Sequence, residues 1–270
     1  LGEVETSHDL GALMAWADTV FHLAAAVGVE LVVTQPVYTI ETNVHATERV
    51  LTFAAKTNTK IFVASTSEVY GKATNEVFRE TDDILLGPPT HFRWSYAASK
   101  ALDEYLGLAF HKEKGTRVII TRFFNTVGPR QTGRYGMVVP RFVAQALKNE
   151  PIRIHGDGEQ IRCFCHVQDT VDALIRLDAH PQAVGEIFNI GRSEPISISD
   201  LGRRVVELLG SRSTMVKIPY SEAYAPGFED MRRRVPDTTK LRNFTQWVPR
   251  KTLDEIILEV GASLRAAGQA

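Results

Sequence analysis

The stretch Lys60-Ile-Phe-Val-Ala-Ser-Thr-Ser-Glu-Val-Tyr-Gly71 limits the fold more than any other part of the chain. Ile61 to Ala64 form a short, unbroken apolar run of the kind that makes a strand buried on both faces, a property of parallel sheets. The run stops abruptly at Ser65, Thr66, Ser67 and Glu68. Hydroxyls and a carboxylate at the carboxyl end of such a strand stand where open α/β sheets place their ligands. For any one of these residues, a plain Ser/Thr-rich turn is the alternative.

About thirty residues downstream comes Trp94-Ser-Tyr-Ala-Ala-Ser-Lys100. From Ser95 onward Ala97, Ala98, Ala101, Leu102, Leu106 and Leu108 give a wide apolar face, which predicts a helix ending near Gly115. Tyr96 and Lys100 are then one turn apart on the same side. An ammonium held near a phenol favours the phenolate and moves a group of ordinary pKa about 10 toward the working pH. That would make a general base for an alcohol proton. Tyr96 and Lys100 on a solvated helix face is the other reading of so short a pattern.

Taken together, the two segments resemble the extended short-chain dehydrogenase/reductase family, the nucleotide-sugar epimerases, dehydratases and decarboxylases. The family's hydroxyl–Tyr–Lys triad matches Thr66 (or its neighbour Ser65), Tyr96 and Lys100. The resemblance covers nearly all of the 270 residues. It implies a Rossmann-like, doubly wound parallel α/β sheet with NAD as cofactor, followed by a smaller C-terminal α/β substrate domain. The division is expected near 1–125 and 126–270, with some later segments returning to the sheet.

Composition agrees with a single enzyme of this size. Apolar content of 44% and charged content of 23% are ordinary for a soluble globular protein. The formal net charge is −1 with no basic block, which gives nucleic acid no handle. No apolar run approaches the roughly 18 residues of a membrane span. The two cysteines, Cys163 and Cys165, are too few for a disulfide framework or a zinc site. A reducing cytoplasm is the default.

On the cofactor side, His22-Leu23-Ala24-Ala25 closes an expected strand Thr19–Ala25 and resembles the family's H-x-A-A turn, whose small side chains let backbone approach the ligand. The resemblance also puts Asn43, Ser65, Tyr96, Lys100 and Phe123 against the cofactor. Asn43 lies in a helix expected from Pro36 to about Lys56 and reads as a holder of active-site backbone. No Gly-rich turn for the pyrophosphate is present. By the family's pattern, roughly three strands and two helices would precede residue 1, so the chain reads as a fragment. Thr19–Ala25 would then be an open sheet edge, and these residues alone are expected to self-associate and to bind NAD weakly or not at all.

On the substrate side, the resemblance gives Asn125 a phosphate contact, Val138 and Val139 the nucleobase slot, and Arg162 the diphosphate, where a planar guanidinium suits phosphate oxygens. Gln160 to Asp169 is expected as a strand with Asp169 capping the next helix. Ser199 is the expected cap of the helix ending at Gly210. Of Arg232, Arg233 and Arg234, Arg233 is the expected second phosphate ligand. Cys163, Cys165 and His166 lack further ligands and read as packing positions, so no metal is expected.

The resemblance implies a UDP-sugar 4-epimerase of the UDP-glucose/UDP-galactose type. Tyr96 would take the 4-OH proton, Thr66 or Ser65 would bond the reacting oxygen, and Lys100 would tune Tyr96 and orient the ribose. Ser67 stands where dehydratases carry an Asp, which counts against dehydration. UDP-glucuronate decarboxylases carry a similar Thr-Ser-Glu, so Thr66-Ser67-Glu68 leaves decarboxylation open. A catalytically silent UDP-sugar binder is the third reading. A homodimer built from the Pro36 and Tyr96 helices is expected.

Overall fold

The apolar run at Ile61 is the centre of the protein in the computed structural model, which describes residue 4 and residues 6–133, 136–224 and 229–268. The opening stretch Leu1 to Glu3 lies outside the described residues. In the first half the elements are α1 (Leu10–Trp16), β1 (Thr19–His22), α2 (Val29–Thr34), α3 (Pro36–Thr57), β2 (Lys60–Thr66), α4 (Ser95–Lys114), β3 (Val118–Phe123) and β4 (Thr126–Val127). The second half has α5 (Val138–Leu147), β5 (Ile152–His155), β6 (Ile161–Arg162), β7 (Cys165–His166), α6 (Val167–Asp178), β8 (Ile187–Ile190) and β9 (Ile196–Ser197). It closes with α7 (Ile198–Leu209), β10 (Met215–Ile218), α8 (Tyr220–Ala223), α9 (Thr239–Thr245) and α10 (Leu253–Ala266).

β1, β2, β3 and β8 form one parallel sheet in that order. Side chains alternate across it, as strand geometry requires. Ile61, Val63, Val118 and Ile120 meet Met14, Val50, Leu51 and Ala54 of α1 and α3 on one face. Phe62, Ile119 and Phe188 meet Ala173, Leu174 and Leu177 of α6 and Leu241 of α9 on the other. This is the doubly wound arrangement: helices cover both faces, so the central strands read as continuous apolar runs. Among the described residues β1 pairs on one side only, and Phe21 on it is 39% exposed while stacking on Phe62 at 4.7 Å.

A second apolar core lies entirely after residue 126. α5, α7 and α10 pack around β5 and β10 through Val139, Phe142, Ile154, Leu201, Ile256 and Ile257. α10 starts with a capping box between Thr252 and Glu255.

Several local expectations need correction. The first strand stops at His22, because Asn43 bends the chain away at Ala26: its Oδ1 accepts from the Ala26 N–H at 2.8 Å and its Nδ2 donates to the Ala26 carbonyl at 3.3 Å. The segment Gln160 to Asp169 is two short strands, since β6 pairs with β9 and β7 with β4. Asp169 lies inside the first turn of α6 and accepts from the Lys251 N–H at 3.0 Å; the N-cap is His166, whose ring accepts from the Gln168 N–H. For α7 the cap is Ser197, two residues before Ser199, accepting from the Asp200 N–H at 2.9 Å.

Candidate active site

The carboxyl ends of the parallel strands open on one cleft of about 520 Å³. In register, Thr66 at the end of β2 stands beside Phe123 at the end of β3. Beyond Thr66 the chain makes a 3-10 turn, Ser67–Tyr70, in which Thr66 Oγ1 accepts from the Glu68 N–H at 3.2 Å. Gly71 ends that turn at φ +58°, and a Cβ there would overlap the Leu85 carbonyl, so only glycine lets the two segments bridge. A second 3-10 turn, Phe92–Trp94, leads directly into α4 and puts Arg93 and Tyr96 on the same wall.

Tyr96 is 8% exposed, lines the cleft and has the Thr66 hydroxyl beside its phenol. Burial holds its phenol well above the usual range, the Glu68 carboxylate adds to that, and the Thr66 hydroxyl and Arg234 act against it. Ser65 is adjacent in sequence but differently engaged: its hydroxyl donates to Glu104 Oε1, which also pairs with Arg122. Thr66 is therefore the hydroxyl partner of Tyr96. Ser67 is buried and also lines the cleft.

Lys100 does not reach the cleft lining. It is 2% exposed, and its ammonium lies 2.5 Å from Oδ2 of Asp103. The lysine expected to tune Tyr96 and orient the ribose is thus paired with a buried carboxylate of its own helix.

Opposite the strand ends the cleft carries a cluster of charge. Glu68 lies between Arg93, 2.5 Å from one carboxylate oxygen, and Arg234, 3.2 Å from the other. Burial would raise this carboxyl, but the two guanidiniums, with Arg162 behind them, hold it at about 2. Arg162 pairs with Asp230 at 2.9 Å. Asn125 donates to the Cys163 carbonyl at 2.8 Å and accepts from Arg234. The Arg234 Nε is buried without a hydrogen-bond partner among the described residues. The arginine choice needs correcting. Arg233 turns out of the cleft and donates to the Glu76 carbonyl at 2.7 Å, whereas Arg234, one residue on, points in.

Val138 and Val139 line the far end at the start of α5. They are joined there by residues the sequence reading missed: Arg141, His155, Tyr220 and Tyr224. His155 Nδ1 is 3.0 Å from the Tyr224 hydroxyl, with the rings edge to face at 5.3 Å. Burial, then Arg141, lowers His155 to about 4. Arg93 was also missed. Its signal was a charge three residues before Tyr96, in a segment otherwise read as a loop.

The donor set near β1 decides whether NAD fits. Leu23, Ala25, Val27 and Gly28 line the cleft there, with Ala64 and Phe123 across from them. Gly28 has φ 123°, and with Ala25 and Ala64 it leaves a wall of small groups that a ring can approach. Asn43 pins this loop to α4, also donating to Ser99 Oγ at 3.1 Å. His22 is buried behind it, Nε2 3.1 Å from Thr47 Oγ1, and Ala24 is exposed; neither lines the cleft. Burial first, and Lys100 second, lower His22 to about 4, so it is neutral at pH 7. These residues fit the nicotinamide end of the cofactor: apolar walls, small side chains and the Tyr96 and Thr66 hydroxyls.

Cys163 and Cys165 are buried free thiols pushed up to about 12, mainly by burial. Among the described residues no group of three His, Cys, Asp or Glu side chains could hold a metal ion, and no helix is long and apolar enough to cross a membrane.

Comparison with known proteins gives concordant results. Residues 2–191 match the NAD dependent epimerase/dehydratase family. The chain is 41% identical over 243 residues to a UDP-N-acetyl-alpha-D-glucosaminuronate decarboxylase of Bacillus cytotoxicus, covering 90% of this chain and 75% of that protein. It is 34% identical over 236 residues to UDP-glucuronic acid decarboxylase 2 of Arabidopsis thaliana, covering 87% of this chain and only 51% of that longer protein. The solved structure of UDP-glucuronic acid 4-epimerase from Bacillus cereus, in complex with UDP-glucuronic acid and NAD, has a TM-score of 0.85 and 25% identity. That match covers 98% of this chain and 81% of the other.

Proposed function

The chain belongs to the NAD-dependent epimerase/dehydratase family, and from that premise we propose that it decarboxylates a UDP-linked hexuronic acid through transient oxidation at C4. The observation that carries this reading is the Arg93–Glu68–Arg234 cluster beside Tyr96, with Arg162 next to it. A neutral sugar brings only its diphosphate charge; a uronate brings one carboxylate more, and planar guanidiniums suit both anions. The 41% identity to a UDP-sugar decarboxylase supports the same choice.

In this reading residues 1–125 supply the cofactor side and the base, and 126–270 mainly hold the nucleotide. Val138 and Val139 face the nucleobase; Asn125, Arg162 and Arg234 hold the diphosphate and carboxylate. Tyr96, as phenolate, takes the proton of the sugar 4-OH, with Thr66 bonding the same oxygen. Ala25, Ala64 and Phe123 would hold NAD, which would supply a transient hydride acceptor for C4. The resulting 4-ketone is β to the carboxylate, so the C5–C6 bond breaks, CO₂ leaves and its bonding electrons pass into the enolate at O4. Tyr96, now protonated, stabilises that oxygen. A proton must then arrive at C5, and water entering the cleft is its proposed source.

Incubation of the full-length protein with NAD and UDP-glucuronic acid tests this. CO₂ and a UDP-pentose, with solvent deuterium at C5 when run in D₂O, are expected. The second reading is 4-epimerisation, the UDP-glucose/UDP-galactose type included, and likeness to a UDP-glucuronic acid 4-epimerase favours it. Conversion of UDP-glucuronic acid to its C4 epimer without CO₂, or of UDP-glucose to UDP-galactose, would replace the first reading with the second.

A further inference from the structure

Asp103 is fully buried, forms the closest charge partner of Lys100, and has no part in the steps above. Its Oδ2 lies 2.5 Å from the Lys100 ammonium, one turn of α4 from Tyr96. Its Oδ1 accepts no hydrogen bond among the described residues. Burial pushes the Asp103 carboxyl up, the Lys100 ammonium and the nearby Thr47 hydroxyl of α3 act against that, and the same hydroxyl is 3.1 Å from His22 at the end of β1. A buried acceptor left open is unfavourable by about 1–3 kcal/mol. Aspartate is among the residues least often buried in full unless paired, and α3 packing on α4 would be served by an apolar side chain here. The carboxylate is thus placed against its own solvation preference and directed at one cation.

Resting on the reading of Tyr96 as the base, we propose that Asp103 is a positioning residue of this site. It holds the Lys100 ammonium in a buried neutral pair, so that the group one turn from Tyr96 acts as a fixed donor and not as a bare positive charge. The charges around these groups can be named. Tyr96 faces Glu68 from the Ser67–Tyr70 turn, Arg234 from the segment before α9, and Asp103 from its own helix. Asp103 faces Lys100, Glu104 and Thr47, and Lys100 faces His22. Asp103 and Glu68 act in the same direction on Tyr96, favouring the protonated phenol, while Arg234 and Thr66 act in the other.

The test is Asp103→Asn, which keeps shape and removes the charge, with Asp103→Glu as the conservative variant. In the NAD-loaded enzyme turning over UDP-glucuronic acid, the acid limb of the kcat–pH profile should move down by about one pH unit in Asp103→Asn. Asp103→Glu should restore it. A carboxylate that merely stabilises the fold would lower the amplitude and leave the limb in place, which would overturn the proposal. Urea unfolding gives a readout independent of turnover. Lys100→Met and Asp103→Leu should each destabilise more than the double variant, and strictly additive losses would also overturn it. Tyr96→Phe separates the two levels: retained turnover there defeats the reading of the base, whereas lost turnover there with an unmoved Asp103→Asn profile defeats only the role of Asp103. If UDP-glucuronic acid is not turned over at all, the proposed function falls and the unfolding cycle decides the pair.

Discussion

Glu68 and Arg93 meet at 2.5 Å with side chains 16% and 4% exposed, on two 3-10 turns that the sequence separates by 25 residues. Such a pair is weak evidence of stability while intact, but removing one partner leaves a buried charge uncompensated, at about 3–5 kcal/mol. Glu68→Gln removes the carboxylate charge that the Arg93 and Arg234 guanidiniums share and should destabilise by about 3 kcal/mol in urea unfolding, and Arg93→Met by less, since Arg234 still faces the carboxylate. The pH dependence has a definite sign. The Glu68 carboxyl is depressed to about 2 from an ordinary 4.5. Its contribution is present above pH 4.5 and is lost as pH falls toward 2. Glu68→Gln should flatten the acid-unfolding curve in that window.

Tyr96→Phe removes one oxygen and leaves the ring. If Tyr96 is the base, turnover falls by about 10²–10⁴-fold while UDP-sugar affinity in calorimetry stays within a few-fold. Because burial and Glu68 hold the phenol high, wild-type kcat should rise with pH through neutrality. A flat profile, or a Phe variant that turns over normally, would remove Tyr96 as the base; UDP-sugar binding without turnover in either protein would favour a silent binder.

Arg233 and Arg234 are neighbours with opposite fates. Arg234 bridges Glu68 and Asn125 within the cleft, and Arg233 spends its Nε on the Glu76 carbonyl outside it. Arg234→Ala should weaken UDP-glucuronic acid binding at least tenfold, a loss typical of one charge-assisted hydrogen bond. Arg233→Ala should leave the dissociation constant within about twofold.

That contrast shows what could be read without coordinates. The strand over Ile61 to Ala64 and the helix from Ser95 to near Gly115 followed from apolar periodicity and glycine, both local signals; the structure extends the strand to Lys60–Thr66. Thr66 or Ser65, with Tyr96, came from the likeness to the family's triad and not from periodicity. The choice between Ser65 and Thr66 did not, because it depends on Glu104 and Arg122 drawing the Ser65 hydroxyl to themselves. Nor did Arg234, because three arginines in a row carry no periodicity that says which one turns inward. Asp103 and Arg93 were passed over for a related reason: each is a charge inside a pattern, and only burial shows that it is paired.

Val37 and Tyr38 of α3 are 65% and 52% exposed, and Leu102 and Tyr105 of α4 are 45% and 68% exposed. The two helices pack against each other, so a second copy can cover their remaining apolar side chains. A homodimer is the expected outcome in sedimentation equilibrium. Tyr105→Glu should shift it to monomer without changing the far-ultraviolet circular dichroism. Association that persists in this variant would point to the side of β1 that no described strand pairs instead.

His22 gives the last prediction, in a different pH window. Burial and the Lys100 charge lower it to about 4 from an ordinary 6.5, so between those values the unfolded chain binds the proton and the folded one does not. Stability must rise with pH across that window and level off above it. The opposite slope, expected of a histidine held charged by a partner, is excluded by the nature of its contacts: a hydroxyl from Thr47 at 3.1 Å and a repelling ammonium. His22→Gln keeps a group able to bond Thr47 and has no proton to gain. Its midpoint in urea should be nearly independent of pH from 4.5 to 6.5 as far as this site is concerned, and the wild-type slope there should be steeper by up to one proton. Equal slopes in the two proteins would mean that His22 titrates as an exposed imidazole and that the loop behind the cofactor side is open to water.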